Sequence, residues 1–113
     1  MIKTFTDKNT LSTLIVSDDI RLLPSNFYKQ RYFDGYWFYI IKFYVPKLHR
    51  NKGIATILFN KMIKWANKNK HNLILEVTPY EGSSYNKLIK FYEKFGFFYT
   101  KYGFMEKRYV INS

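Results

Sequence analysis

Arg50 and Lys52 flank an asparagine and are followed at once by Gly53, and from Ile54 the chain turns apolar at helical spacing. Cations beside a bare glycine at the start of a helix have a chemical use. The first helical turn has backbone N–H groups without carbonyl partners and carries a partial positive charge. A glycine lets a ligand approach that backbone with no Cβ in the way. Arg50 and Lys52 add full charges, and a guanidinium can hold two phosphate oxygens at once. The stretch therefore reads as a seat for an anion, with Lys47 close by. A charged surface loop would explain the cations but not the glycine. The chain has no cysteine, which excludes disulfides, thiolate metal sites and a cysteine nucleophile. Its two histidines, His49 and His71, join no cluster of acids that would suggest a metal. His49 could act as a base or a phosphate contact, but an ordinary loop residue is the plainer reading. His71 falls at a helix-to-strand turn and reads as structural.

Such a seat needs a strand that ends before it and a helix that begins at it. Tyr36–Val45 is rich in aromatic and β-branched residues and reads as that strand, stopped by Pro46, which has no N–H to give a ladder. Phe27–Phe33 has the same character. Asp34-Gly35 between the two is a hairpin signal, so they are expected to pair antiparallel. Ser12–Asp18 and Ile20–Leu23 are shorter apolar runs, and Pro24-Ser25-Asn26 marks a turn. After Gly53, the residues Ile54, Ile57, Leu58, Met62, Trp65 and Ala66 recur at three- and four-residue steps, with Lys61, Lys64 and Lys68 on the other face. That pattern predicts an amphipathic helix of about 16 residues. Asn72–Pro79 reads as a buried strand and Glu81–Ser84 as a loop ending in a serine N-cap. Leu88, Ile89, Tyr92 and Phe95 form a second helical stripe that Gly96 ends. The remainder reads as two last strands around Gly103. The strand–helix–strand unit in the middle is a parallel, right-handed crossover. The fold class is therefore mixed α/β, a mostly antiparallel sheet with a central parallel βαβ unit, in one domain spanning 1–113.

Composition narrows the partners. Nineteen Lys and Arg face eight acids, for a net charge of +11. An anionic partner would explain this: nucleic acid, a phosphorylated cofactor or an acidic protein face. A lysine-rich solvated surface would explain it equally, since Asn, Tyr, Phe and Ile are abundant too. The net field argues against a cationic small substrate such as a polyamine. No apolar run approaches the ~18 residues that span a bilayer. "MIKTFTDKNT" has no long apolar stretch, so no signal peptide is expected and the cytoplasm is the default location.

Arg50-Asn51-Lys52-Gly53-Ile54-Ala55 matches R/Q-x-x-G-x-G/A, and in this respect the chain resembles the GCN5-related N-acetyltransferases, the GNAT superfamily. The lead-in "FYVPKLHR" is similar to that family's strand-Val-x-Pro-x-x-Arg approach. "FYEKFGF" (Phe91–Phe97) resembles its second conserved segment and "MEKRYV" (Met105–Val110) its closing strand. The four matches, in order, cover roughly Tyr36 to Val110. The resemblance implies the acyl-CoA N-acyltransferase fold and a site for acetyl-coenzyme A as cosubstrate, with no metal. Backbone N–H groups from Asn51 through Lys52, Gly53, Ile54 and Ala55 to Thr56 would hold the pyrophosphate, with Arg50 setting the loop. The pantetheine arm would run along backbone groups near Phe43 and Val45, where the strands splay apart. Tyr92 would be the general acid for the leaving thiolate, although without the motif a core tyrosine on an apolar stripe is the stronger reading. Glu76, on the strand flanking the splay, is the first candidate for a base; a solvent-facing or ion-paired strand residue, or a water relay, is the alternative. Asn86 stands early in the second helix, where the family often has an asparagine. The usual spacing to the tyrosine is one residue longer, however, and that slot holds Tyr85, so a helix-start polar residue is an equal reading.

The departure lies at the N-terminus. Family members commonly carry helices between their first and second strands that shape the acceptor pocket, and no long helical stripe precedes Pro46 here. The resemblance is thus to a small member with a shortened N-terminal region. An open acceptor face suits a primary amine on a macromolecule, such as a protein lysine or an aminoacyl-tRNA, and a dimer could rebuild the wall. With no cysteine, direct transfer in a ternary complex is expected. The other reading is a basic module of the same fold that has lost catalysis and binds nucleic acid or an acidic protein.

Overall fold

The computed structural model describes residues 1–19, 21, 37–79, 84–100 and 103–111. The readings of Ile20–Leu23, Pro24–Asn26, Phe27–Phe33, Asp34-Gly35 and most of Glu81–Ser84 fall wholly or largely outside the described residues. Within them the chain forms strands β1 (Ile2–Asp7), β2 (Ser12–Ser17) and β3 (Trp37–Tyr44), helix α1 (Ile54–Asn69) and strand β4 (Asn72–Glu76). Helix α2 (Tyr85–Glu93) and strands β5 (Phe98–Tyr99) and β6 (Phe104–Lys107) complete it. The six strands make one sheet in the order β1-β2-β3-β4-β6-β5. β3 and β4 are parallel and joined through α1, and every other neighbouring pair is antiparallel. This is the mixed α/β architecture expected.

One difference concerns the first strands. β1 is an additional strand, paired with β2 from Ile2↔Ser17 to Asp7↔Ser12. Its side chains alternate, but only Phe5 is buried, so an edge strand of this kind leaves little hydrophobic signal. Among the described residues the antiparallel neighbour of β3 is β2, with Thr13 opposite Tyr44 and Leu14 opposite Phe43. β1 and β2 are joined by a tight turn in which Asp7 accepts hydrogen bonds from the Thr10 N–H (3.1 Å) and hydroxyl (2.6 Å). No helix stands between these two strands.

Both helices cover one face of the sheet. Leu58, Phe59, Met62 and Ala66 of α1 and Leu88 and Tyr92 of α2 share a core with Phe5, Leu14, Val16, Phe38, Leu73, Leu75, Val77 and Met105. Phe59 is its hub. Its ring lies 5.0 Å from Phe43, 5.5 Å from Phe91, 5.6 Å from Tyr92 and 5.1 Å from Phe95. A fully buried phenylalanine with such neighbours costs about 3–5 kcal/mol when cut to alanine. Residues of opposite parity on β3, β4 and β6, namely Trp37, Ile74 and Phe104 with Tyr39, form a second cluster on the other face. Burial on both faces explains the unbroken apolar run Leu73–Leu75. Asparagines bind the ends: Asn72 Oδ1 accepts the Tyr109 N–H at 3.0 Å and Asn67 Oδ1 accepts the Val110 N–H at 2.9 Å. The closing strand therefore stops at Lys107, short of Val110.

Candidate functional site

The parallel ladder between β3 and β4 is short. Trp37 pairs with Asn72, Phe38 with Leu73 and Tyr39 with Ile74, and there it ends. β3 runs on to Tyr44 and β4 to Glu76 without pairing with each other. The cause is visible on the other edge of β3. Between Val16↔Ile40 and Ile15↔Lys42 the register with β2 shifts, so Ile41 is an extra residue on β3. Such a bulge bends its strand and sharpens the twist, and this one lies just past the last β3–β4 pair. From Ile40 to Tyr44 the β4-facing edge of β3 has no strand partner among the described residues. Alternate backbone N–H and C=O groups on that stretch point into the opening, ready to pair with an extended ligand.

At the carboxyl end of β3 the chain turns into the predicted anion seat. Lys47–His49 is one 3-10 turn, closed by the His49 N–H on the Pro46 carbonyl at 2.8 Å. Arg50 Nε donates to the Val45 carbonyl at 2.9 Å and so ties the loop to the strand it leaves. Asn51 (φ 64) and Gly53 (φ 80) both take left-handed backbone, which explains the glycine and strains the asparagine less than other residues. Gly53 is the N-cap of α1, and the first helical bond is the Ile57 N–H to the Gly53 carbonyl at 3.1 Å. The N–H groups of Ile54, Ala55 and Thr56 therefore precede the helical ladder. No side chain caps them, and no acid stands in the first turn. A Cβ built on Gly53 would meet nothing within 4 Å, so the space before this backbone is open. Asn51, Lys52 and Thr56 are exposed, Ala55 is half-buried, and Ile54 packs against the core and anchors the turn.

Tyr92 and Glu76 lie on opposite faces of the sheet. Tyr92 is buried in the helix-side core, and the Phe59 ring lies 5.6 Å from its ring and 5.0 Å from that of Phe43. Glu76 ends β4 opposite Phe104, exposed, with its parity on the Tyr39 and Ile74 face. Burial, and then the Glu76 carboxylate, push the Tyr39 phenol up. Asn86 is exposed in the first turn of α2, whose N-cap Ser84 accepts the Lys87 N–H at 3.2 Å. Thus the structure brings Phe43, Val45 and the Arg50–Thr56 loop together in one continuous run. It sets Tyr92 in the helix-side core and Glu76 on the opposite face of the sheet.

A group that sequence reasoning missed lies beside Glu76. The Tyr85 hydroxyl donates to the Tyr99 hydroxyl at 3.2 Å, and Tyr99 also accepts the Gly103 N–H at 2.9 Å. The proton held toward Tyr99, with burial and the nearby Glu76 charge, pushes Tyr85 up to about 12. The two donors on its oxygen, Tyr85 first, draw Tyr99 down. The Gly103 carbonyl in turn accepts the Val77 N–H at 2.7 Å, which fixes this corner to the end of β4. Tyr85 and Tyr99 are far apart in sequence on different elements, so no local spacing could have announced the pair. Among the described residues no group of three or more acids and histidines could hold a metal ion.

Residues 13–97 match the acetyltransferase (GNAT) family, three quarters of the chain and both halves of the opening. The chain belongs to the GNAT family. Two solved structures share its fold. The anti-CRISPR protein AcrVA5 is similar over 93% of this chain and 96% of its own, with a TM-score of 0.65 at 15% identity. A putative acetyltransferase from Agrobacterium tumefaciens is similar over 96% of this chain and 74% of its own, with a TM-score of 0.56 at 19% identity. No curated protein sequence matches the chain. For this GNAT chain, membership supports acetyl transfer in general, and acetyl-coenzyme A is the family's typical donor. No helix among the described residues is long and apolar enough to cross a membrane.

Proposed function

We propose that the protein transfers the acetyl group of acetyl-coenzyme A directly to a primary amine carried on a macromolecule. The observation that carries this reading is the edge of β3 from Ile40 to Tyr44, which has no strand partner among the described residues and leads without interruption into the open, uncapped N-terminus of α1. An extended arm with amide groups fits the edge, and a pyrophosphate fits the helix end. The loop cations lie at the anionic end of such a ligand. The residues present therefore suit acetyl-coenzyme A.

In the reaction, the amine nitrogen bonds to the thioester carbonyl carbon, the carbon–sulfur bond breaks, and the coenzyme leaves as its thiol. The chain supplies three things. The α1 N–H groups and the Arg50–Gly53 loop hold the phosphates. The Tyr92 hydroxyl gives a proton to the departing sulfur and regains one from solvent. Glu76, directly or through a water, takes the proton that the amine loses. Because the chain has no cysteine, no acetyl-cysteine forms on the way. The acceptor side is bordered by Glu76, Tyr39, Tyr85 and Tyr99, and β1 and β2 carry no helix between them to roof it. An amine presented on a protein suits that side better than a small amine that needs enclosure. A cytoplasmic setting, where acetyl-coenzyme A is at hand, fits the same reading.

The test is a thermal unfolding series with acetyl-coenzyme A, followed by thiol release with candidate acceptors. Binding at 100 times Kd would stabilise the fold by about 2.7 kcal/mol. An unmoved midpoint at millimolar coenzyme would sink the proposal. A shift without thiol release from any protein or peptide amine would leave coenzyme binding and remove the transfer.

A further inference from the structure

α1 and α2 form the layer that covers one face of the sheet, and its outer surface carries lysine and almost no acid. Lys61, Lys64 and Lys68 are exposed at three- and four-residue steps on α1, and Lys70 follows at its end. Lys87, Lys90 and Lys94 repeat that spacing along α2 and its C-cap. α1 contains no Asp or Glu, and α2 contains only Glu93. None of these lysines enters an ion pair with a described residue. Like charges three and four residues apart destabilise a helix by about 0.2–0.5 kcal/mol per pair. Four such pairs across the two helices oppose folding by roughly 1–2 kcal/mol, which Lys68 and Lys90 recover in part from the helix dipole in the last turns.

The chemistry of the surface narrows what would compensate. Protein interfaces are depleted in lysine and centre on aromatic and arginine anchors. The helices contain no arginine, and their exposed large apolar side chains, Ile57 and Tyr85, lie at the amino ends. Without a row of exposed rings there is no stacking platform for a single strand. Without arginine there is no rigid planar fork of donors of the kind that favours bidentate recognition. What remains is an array of exposed point charges and amides, Asn60 and Asn86 among them, which suits phosphate oxygens. Lys61 to Lys68 spans about 10 Å of helix. A duplex presents roughly six phosphate charges over that length.

We propose that the outer surface of the α1–α2 layer docks on the phosphate backbone of double-stranded nucleic acid, without sequence preference. This stands apart from the catalytic reading, since neither the β3–β4 opening nor the α1 N-terminus takes part.

Fluorescence anisotropy of the full chain with a labelled 20-base-pair DNA duplex tests it between 50 and 200 mM salt. Five phosphate contacts give a log–log slope of about −4.5, hence roughly a 500-fold loss of affinity over that range. Lys64→Gln with Lys68→Gln flattens the slope by about 1.8. Lys8→Gln with Lys42→Gln removes the same charge from a turn and from β3, and leaves the slope in place. Absence of binding at 50 mM salt overturns the proposal. So does equal flattening by both pairs, which would mean net charge alone. A tenfold preference between two duplex sequences, or tighter binding to polyglutamate than to duplex at matched salt, does the same.

Discussion

Substitution of Gly53 separates two reasons for a glycine that coincide in the structure. Its φ of 80° lies in left-handed space, where a residue with a Cβ costs about 1–2 kcal/mol. For a chain of this size that lowers the melting temperature by roughly 4–8 °C. Packing adds nothing, because a Cβ there meets no atom within 4 Å. Gly53→Ala should therefore fold, melt several degrees lower, and lose the stabilisation by acetyl-coenzyme A, which for the wild type at 100 Kd is about 2.7 kcal/mol, or roughly 10 °C. Gly53→Asn is the discriminating variant. Asparagine tolerates left-handed backbone, so most of the intrinsic melting temperature returns. Its side chain still fills the space that the pyrophosphate needs, so the coenzyme shift stays lost. Differential scanning fluorimetry with and without coenzyme reads both quantities in one experiment. If Gly53→Asn keeps the wild-type shift, the glycine serves the turn alone, and the anion seat has been placed wrongly.

The other predictions concern Tyr92, Glu76 and His71. Tyr92→Phe keeps the ring packed on Phe59 and should lower kcat by roughly 100-fold with KM for the coenzyme nearly unchanged, as a lost general acid requires; steady-state thiol release measures both, and an equal rise in KM would mark a structural role. Glu76→Gln should lower kcat/KM most at neutral pH and recover in part at alkaline pH, where the amine is already neutral; a pH profile parallel to wild type would remove Glu76 from the reaction. His71 stacks between Phe38 at 4.4 Å and Trp65 at 5.0 Å, with Nδ1 enclosed and unpartnered, and burial lowers its pKa against the weaker pull of Asp18. The unfolded chain then binds the proton more readily, so the stability from the neutral ring is complete above about pH 6.5 and declines as pH falls below it. Denaturant midpoints for wild type and His71→Phe between pH 5 and 7 should diverge toward acid; parallel curves would contradict the burial argument.

The middle of the chain was legible because its patterns are local. Gly53 and the stripe from Ile54 to Ala66 set α1, the run Leu73–Leu75 set β4, and Ser84 and Gly96 bracketed the second helix. The first strands were not, because their information is distributed. β1 buries one side chain, and nothing in Ile2–Asp7 distinguishes an edge strand from a polar terminus until β2 lies beside it. The pairing of β2 with β3 is hidden for a related reason. Leu14 opposite Phe43 joins residues nearly thirty apart, which no local pattern announces. The opening itself is foreshadowed by the family resemblance, but the bulge at Ile41 that bends β3 has no residue signature, since Ile40 and Ile41 read as ordinary strand. The Tyr85–Tyr99 contact escaped because it joins a helix start to an edge strand through Gly103.

The placement of Tyr92 and Glu76 has a consequence for the proposed transfer. Alternation along β4 sends Leu73, Leu75 and Val77 to the helix side and Glu76 to the other, while Tyr92 belongs to the helix-side core. A paired sheet would separate the two completely, because backbone hydrogen bonds leave no passage between strands about 4.8 Å apart. They can act on one bond only where the ladder is missing. In the proposed transfer the reacting carbonyl would therefore sit in the gap past Tyr39 and Ile74, with its sulfur toward Tyr92 and its open face toward Glu76. That arrangement keeps the proton donor and the proton acceptor on opposite sides of the carbon they serve, so neither can neutralise the other. It also makes the bulge at Ile41 part of the chemistry. Deleting that one residue would restore the register between β2 and β3, straighten the strand and close the gap, abolishing both coenzyme binding and transfer while the helix-side core stays in place.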